Sequence, residues 1–280
     1  MTTKDTHIDL LQVAESSNAS YHCEGNEWLC IIKEYLIKNN LSEIWVNDNI
    51  KQRRDGKVFT CSDHVRGLVY SLLSNQRPWK RIEECMEELD TIFFHFDVAK
   101  IKTESPDTFI DAIRRIKCGN RNIACQMYDL PYNIALMEGI EREYGSMDQF
   151  VTSAPAWEIV NKISDNHSKF KMRRLGKALA WEYLRNVGID GAKPDVHLRR
   201  FFAGDRMGRG NKILATEDEV YNTVKKLSED IGMPMAEIDA IVWNFSASGY
   251  GEICTSNPKC DICPVERYCL KHRVTIPSFV

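Results

Sequence analysis

The chain has 280 residues, 43% hydrophobic and 28% charged, with a formal net charge of −3; these values exclude fibrous, disordered and wholesale nucleic-acid-coating classes. Its length exceeds what one small core organises, so about two domains are expected. No segment approaches membrane-span length, and Lys4, Asp5, His7, Asp9 and Glu15 break up any secretory signal, so a reducing cytoplasmic setting is expected, nucleoid-associated if prokaryotic.

Residues 1–61 show no pattern stronger than flanking helices. Val65, Leu68, Val69, Leu72 and Leu73 then fall at helical spacing, and Ile82, Cys85, Met86 and Leu89 repeat it. Ser105 followed by Pro106 reads as an N-cap with proline in the first turn, ahead of Phe109, Ile110, Ile113 and Ile116. Pro131 is expected to split the next helical stretch. Ser146 with Gln149, and Thr216 with Glu219, have capping-box spacing, the second pair leading into Val220, Val224, Leu227 and Ile231. Alternating strand patterns are scarce. The fold class is therefore all-α, with helices joined by short polar turns.

Charge is unevenly spread. Between Lys169 and Lys212 there are twelve Lys and Arg against four acids, the footprint of a phosphate-binding face, with a solvated basic surface as the plain alternative.

Near the C-terminus Cys254, Cys260, Cys263 and Cys269 follow the spacing C-x5-C-x2-C-x5-C. One tight pair flanked by two longer arms suits thiolates that each reach a different iron of a [4Fe-4S] cluster. Structural zinc more often draws on two separated close pairs; zinc, disulfides or chance remain alternatives. Cys23, Cys30, Cys61, Cys85, Cys118 and Cys125 have no ligand spacing and read mostly as core thiols.

The cysteine run, the helical middle and the segment Lys193-Pro194-Asp195-Val196-His197-Leu198-Arg199-Arg200 together resemble the endonuclease III family of helix-hairpin-helix DNA glycosylases. The resemblance spans about residues 62–270. In that family an aspartate lies in a V-D-x-H type segment, which Asp195 and His197 fit, and bifunctional members place a lysine eighteen residues earlier, where Lys177 stands. The stretch Gly176 to Gly188, ending Leu184-Arg185-Asn186-Val187-Gly188, also resembles the archaeal 8-oxoguanine glycosylases. Gly188 suits a helix C-terminus. Leu72-Leu73-Ser74-Asn75-Gln76 resembles the family's L-L-S-x-Q, whose glutamine fills the space left in the DNA stack.

Two departures mark a divergent member. The family's hairpin presents Gly-x-Gly before the lysine; here Arg173-Arg174-Leu175-Gly176 holds one glycine, and Lys171, Arg173 and Arg174 are expected to replace the lost backbone contact with side-chain charge. The first arm of the cysteine run is one residue shorter than the family commonly has.

The resemblance implies a six-helix barrel with the hairpin over residues 62–188, and a cluster domain formed by 1–61 and 189–280, flanking a DNA groove. It implies a monomer acting on double-stranded DNA with a damaged or mispaired base, flipped into a pocket. Asp195 would stabilise the positive charge at C1′, and Lys177, facing it across the groove, would form a Schiff base and add lyase activity. Gln76, Lys171, Arg173, Arg174, Gly176 and Arg199 would contact DNA; Lys259 and Arg267 would reach phosphate from a cluster that is structural. Lys193 is expected to touch phosphate or substitute for Lys177, His197 to be structural, and Trp79 to belong to the core. A monofunctional glycosylase and a non-catalytic DNA-binding iron-sulfur protein are the alternatives.

Overall fold

The computed structural model describes residues 24–41, 44–77, 79–208 and 213–273, and among these the chain is all-helical, without a strand. After α1 (Glu27–Lys38) and α2 (Ile44–Arg54), α3 (Cys61–Leu73) starts on a reciprocal cap. The Thr60 hydroxyl oxygen accepts from the Asp63 N–H (3.3 Å) and the Asp63 carboxylate accepts from the Thr60 N–H (2.9 Å). The apolar stripe of α3, Val65, Leu68, Val69, Leu72 and Leu73, is fully buried.

The stripe from Ile82 to Leu89 forms two short helices instead of the one its spacing predicts. These are α4 (Trp79–Glu83) and α5 (Met86–Ile92), and the Cys85 backbone between them leaves the helical region (φ −111°, ψ 7°). The Cys85 N–H donates to Ile82 O (3.0 Å), which tightens the end of α4, and Cys85 O accepts from the Leu89 N–H (2.8 Å). Ile82, Cys85 and Leu89 stay buried although the axis breaks.

α6 (Val98–Thr103) precedes α7 (Pro106–Arg115), which Ser105 caps at the Asp107 N–H with Pro106 in the first turn, as predicted. Pro131 does not split its helix. α8 (Ile123–Tyr144) runs through it. Proline removes one donor from the ladder, but Met127, Leu130, Ile134 and Met137 on either side are at most 1% exposed, and their burial outweighs the lost bond. α9 (Met147–Thr152) has a one-sided cap, the Ser146 hydroxyl accepting from the Gln149 N–H (3.0 Å).

α10 (Ala156–Ser164) and α11 (Lys177–Asn186) enclose the hairpin, and α11 is pinned on α3. Ser71 Oγ donates to Leu179 O (2.5 Å), and Asn186 Nδ2 donates to Gly67 O (3.0 Å). A first core runs from Phe59 to Val187. A second combines α1 with α12 (Val196–Phe201), α13 (Glu217–Ile231) and α14 (Met235–Ser246), joining the two ends of the described chain. There the Thr216–Glu219 box is complete, and Val220, Val224, Leu227 and Ile231 face the core.

α2 docks against the end of α11, where Gly188 has φ +75° and a Cβ would lie 2.5 Å from Asn49 O. Gly188→Ala is therefore expected to cost about 3 kcal/mol, adding positive-φ strain to a backbone clash, read as a lower urea midpoint at unchanged m.

Not every cysteine fits the core-thiol expectation. Cys85 and Cys118 are buried, Cys61 is half-buried and Cys125 is exposed, while Cys30 is disulfide-bonded. Cys23 lies outside the described residues.

Candidate active site

The two cores meet at a cleft of 420 Å³. Its walls come from the turn after α3 (Ser74, Asn75, Gln76), from α11, from the segment before α12 and from the end of α14. Trp79, His197 and Trp243 give it aromatic surface, suited to a planar ring.

Asp195 stands in this cleft and caps α12. Its Oδ1 accepts from the N–H groups of His197 (2.8 Å) and Leu198 (3.2 Å), which fixes the rotamer. Oδ2 makes no hydrogen bond among the described residues. The cap and the cleft carboxylate are thus one group, with one oxygen spent on the helix. His197 packs on Trp243 with ring centroids 5.9 Å apart, and burial holds its imidazole below the ordinary value.

Beneath Asp195 lies a buried set of four charges. Lys193 Nζ donates to Glu182 Oε2 (2.7 Å), and the Lys193 N–H donates to Asp239 Oδ2. Arg185 Nη1 stands 3.4 Å from Asp239 Oδ1. Burial alone would raise the Glu182 carboxyl, but Lys193 and Arg185 bring it below its ordinary value. Lys193 shows the converse: burial would lower it, and Glu182 with Asp195 raises it. Glu182 and Arg185 enter the sequence pattern only as members of the charged run, and Asp239 not at all, although charged residues inside otherwise apolar helical runs are a signal of buried pairing.

Lys177 stands outside the residues that line the cleft. It begins α11, its side chain is 58% exposed, and its ammonium lies 3.9 Å from Glu217 at the start of α13. The next residues, Ala178 and Leu179, do line the cleft. Lys193 is the lysine brought beside Asp195.

The turn between α10 and α11 holds one glycine, Gly176, in place of a glycine pair. Arg174 occupies the first glycine's place and takes the left-handed conformation, φ +61°. Lys171 Nζ donates to Ser164 O (2.8 Å) and Leu175 O (2.6 Å), so it closes the turn rather than presenting charge. Arg173 and Arg174 both pair with Asp129, at 3.1 and 2.7 Å. Asn133 holds the turn from α8, donating to Arg173 O (3.1 Å) and accepting from its N–H (2.7 Å). Gly176 is exposed with open space where a Cβ would point.

Gln76 stands at the cleft rim with φ +55°, its Oε1 accepting from Arg121. Arg199 is turned inward, its Nε donating to Ala215 O (2.8 Å). Part of the basic run is engaged inside the fold, Arg185, Lys193 and Arg206 being in buried or cleft contacts, while Lys169 pairs with Glu143 (2.8 Å) at the surface. Lys169, Arg173, Arg174 and Lys177 keep side chains that are at least half exposed. Arg209 and Lys212 lie outside the described residues.

Cys254, Cys260, Cys263 and Cys269 line one small cavity with Arg206. Arg206 is 5% exposed, and its Nη1 donates to Cys254 Sγ (3.1 Å) and Thr255 O (2.9 Å). No three His, Cys, Asp or Glu side chains among the described residues converge as ligands of one metal ion. Four thiols around a common cavity, with a buried guanidinium on one sulfur, fit a donor set for a polynuclear cluster, whose ligands bind separate irons. Lys259 is 3.7 Å from Glu252 and Arg267 donates to the Tyr268 hydroxyl (2.8 Å).

The class this architecture defines is a two-core helical protein with a carboxylate in the cleft between the cores. Two solved structures of the 8-oxoguanine DNA glycosylase of Methanocaldococcus jannaschii share that fold. One, a glycosylase/lyase in complex with a 15mer DNA containing 8-oxoguanine, aligns with TM-score 0.53 and 16% identity over 79% of this chain and 97% of that one. The other aligns with TM-score 0.54 and 16% identity over 82% and 97%. No protein-family model and no curated protein matches the sequence. No described helix is long and apolar enough to cross a membrane.

Proposed function

We propose that this chain is a DNA glycosylase that acts as a monomer on double-stranded DNA and flips a damaged or mispaired base into the cleft. The observation that carries this reading is Asp195, a carboxylate with one free oxygen in an aromatic-walled cleft, on the fold of a known glycosylase. Breaking an N-glycosidic bond builds positive charge at C1′, and Asp195 would stabilise that charge and orient the nucleophile. Gln76 would fill the vacated stack, and exposed Gly176 at the start of α11 would receive a phosphate. The four cysteines would hold a [4Fe-4S] cluster, which supplies a structural crosslink for the C-terminal loop.

The nucleophile divides two versions. In the bifunctional one Lys177 swings from the rim into the cleft and attacks C1′, giving a Schiff base and strand cleavage by β-elimination. In the monofunctional one water attacks and the product is an abasic site. The position of Lys177 beside Glu217, outside the cleft lining, favours water.

Borohydride trapping on abasic duplex DNA, with a panel of lesion-bearing duplexes for base release, tests both. Base release without a trapped adduct is the expected outcome of the water route. An adduct that disappears in Lys177→Ala restores the lyase, and an adduct that persists there but is lost in Lys193→Ala moves the amine to Lys193. Absence of both base release and low-salt duplex binding defeats the glycosylase reading.

A further inference from the structure

We propose that Asp239 is a positioning residue for Asp195: it anchors the Lys193-Pro194-Asp195 segment from α14 and clamps that segment, through Arg185, to α11. The inference rests on the glycosylase reading and adds to it a group that touches neither base nor sugar.

Asp239 is fully buried on an otherwise apolar stretch of α14, Ile238 to Val242. A carboxylate there is costly unless both oxygens are used. Oδ2 takes the Lys193 N–H, two residues before Asp195. Oδ1 makes no hydrogen bond among the described residues and faces Arg185 Nη1 as an ion pair at 3.4 Å. The Asp195 N–H then closes a tight turn on Lys193 O (2.7 Å). On its other side, Asp195 is fixed by the first N–H groups of α12. Its carboxylate is therefore held at both ends, and the N-terminal tether ends on Asp239. Because α11 belongs to the first core and α14 to the second, the same side chain also sets the separation of the cleft walls.

This anchor responds to pH. Burial pushes the Asp239 carboxyl up to about 7, against the pull of Arg185, with Asp195 adding to the rise and Lys193 opposing it. Of the other charges packed around α14, Asp190 accepts from the Ala236 N–H in its first turn (2.9 Å). Glu182 pairs with Lys193 (2.7 Å), and Lys33 of α1 pairs with Glu237 (2.8 Å). His197 of α12 faces Trp243, its imidazole held below its ordinary value by burial. Below neutrality Asp239 takes a proton, the pair with Arg185 is lost, and the bond from Lys193 weakens. Asp195 then keeps its cap, while the segment before it is held chiefly through the Lys193–Glu182 pair.

The test compares binding of the full chain to two duplexes. One carries a cationic pyrrolidine abasic analogue, whose ammonium stands in for the charge at C1′; the other carries a neutral tetrahydrofuran site. Preference for the cation reports a correctly placed Asp195. In the unaltered protein this preference is expected to be roughly tenfold or more at about pH 8 and to fall severalfold at about pH 6. Asp239→Asn, which keeps an acceptor for the Lys193 N–H, is expected to show a reduced preference at both pH values, without the pH step. Asp239→Ala should reduce it further, and if that variant does not fold, Asp239→Asn and the pH series on the unaltered protein decide.

No preference in the unaltered protein overturns the glycosylase reading and this inference with it. A preference that vanishes in Asp195→Asn but keeps its size and pH step in Asp239→Asn overturns the inference alone. So does a preference in the unaltered protein that is flat across the two pH values.

Discussion

Asp195→Asn is expected to slow base release by roughly 10²–10⁴-fold while changing duplex affinity by no more than about twofold. The substitution is nearly isosteric, and the asparagine oxygen can still accept from the His197 and Leu198 N–H groups, which the aspartate now binds at 2.8 and 3.2 Å. Asparagine is as good an N-cap as aspartate, so α12 should lose little stability. What disappears is the negative charge in the cleft, needed only once C1′ becomes positive. The loss should fall on the rate of the chemical step and not on binding. Single-turnover base release, measured beside a gel-shift affinity, separates the two. A variant within about tenfold of the unaltered rate would remove Asp195 from the chemistry and leave it as a cap.

The features that were legible in the sequence are those whose causes are local. Ser105 with Pro106 and Thr216 with Glu219 announce helix starts because cap and helix lie within a turn of each other. The α3 stripe is legible because one face of one helix decides its burial. Pro131 misleads because its local cost is set against apolar burial along α8, which a window of sequence does not contain. The single-helix pattern across Ile82 to Leu89 misleads for a related reason: periodicity reports which residues face inward, not whether the axis is continuous.

At the site, spacing places Asp195 correctly at the start of a helix beside the cleft, since cap chemistry and catalytic candidacy coincide in one residue. For Lys177 the same method gives the position along the chain and not the direction of the side chain. Its register puts it at the first position of α11, but which way a side chain leaves a helix start depends on what stands opposite, here Glu217 from α13. The acids that occupy the basic run, Asp129 on α8, Glu217 on α13 and Asp239 on α14, are equally remote in sequence. Counting charge along one segment therefore overstates the cations left for phosphate.

Arg53→Ala is expected to destabilise the fold by about 3 kcal/mol, a large share of the stability of a chain this size. Arg53 reaches from α2 into a knot that ties it to the first core. Nε and Nη2 donate to Val187 O at 2.9 and 2.7 Å, and the guanidinium also pairs with both oxygens of Asp148. His64 is buried on the other side of Asp148, with Nε2 at 3.6 Å, too long for a hydrogen bond, and Nδ1 2.7 Å from the Tyr183 hydroxyl. Truncating Arg53 strands the Val187 carbonyl just past α11 and a carboxylate whose side chain is only 10% exposed. Lysine should rescue little, since it cannot serve the carbonyl and the carboxylate in one plane. The knot also sets the acid response. Burial alone would raise the Asp148 carboxyl, but His64 and Arg53 hold it well below the usual carboxylate range. Its contribution is therefore present above about pH 4 and lost as pH falls towards its folded value. His64 is lowered by burial, against the pull of Asp148, so its share is present above about pH 6.5 and fades as pH drops. Both act in the same direction. Urea titrations from about pH 7 to pH 3 should show falling stability in the unaltered protein and a flatter acid limb in Asp148→Asn. If the two slopes coincide, the acid sensitivity arises elsewhere, and the Arg53 effect reduces to the lost hydrogen bonds at Val187.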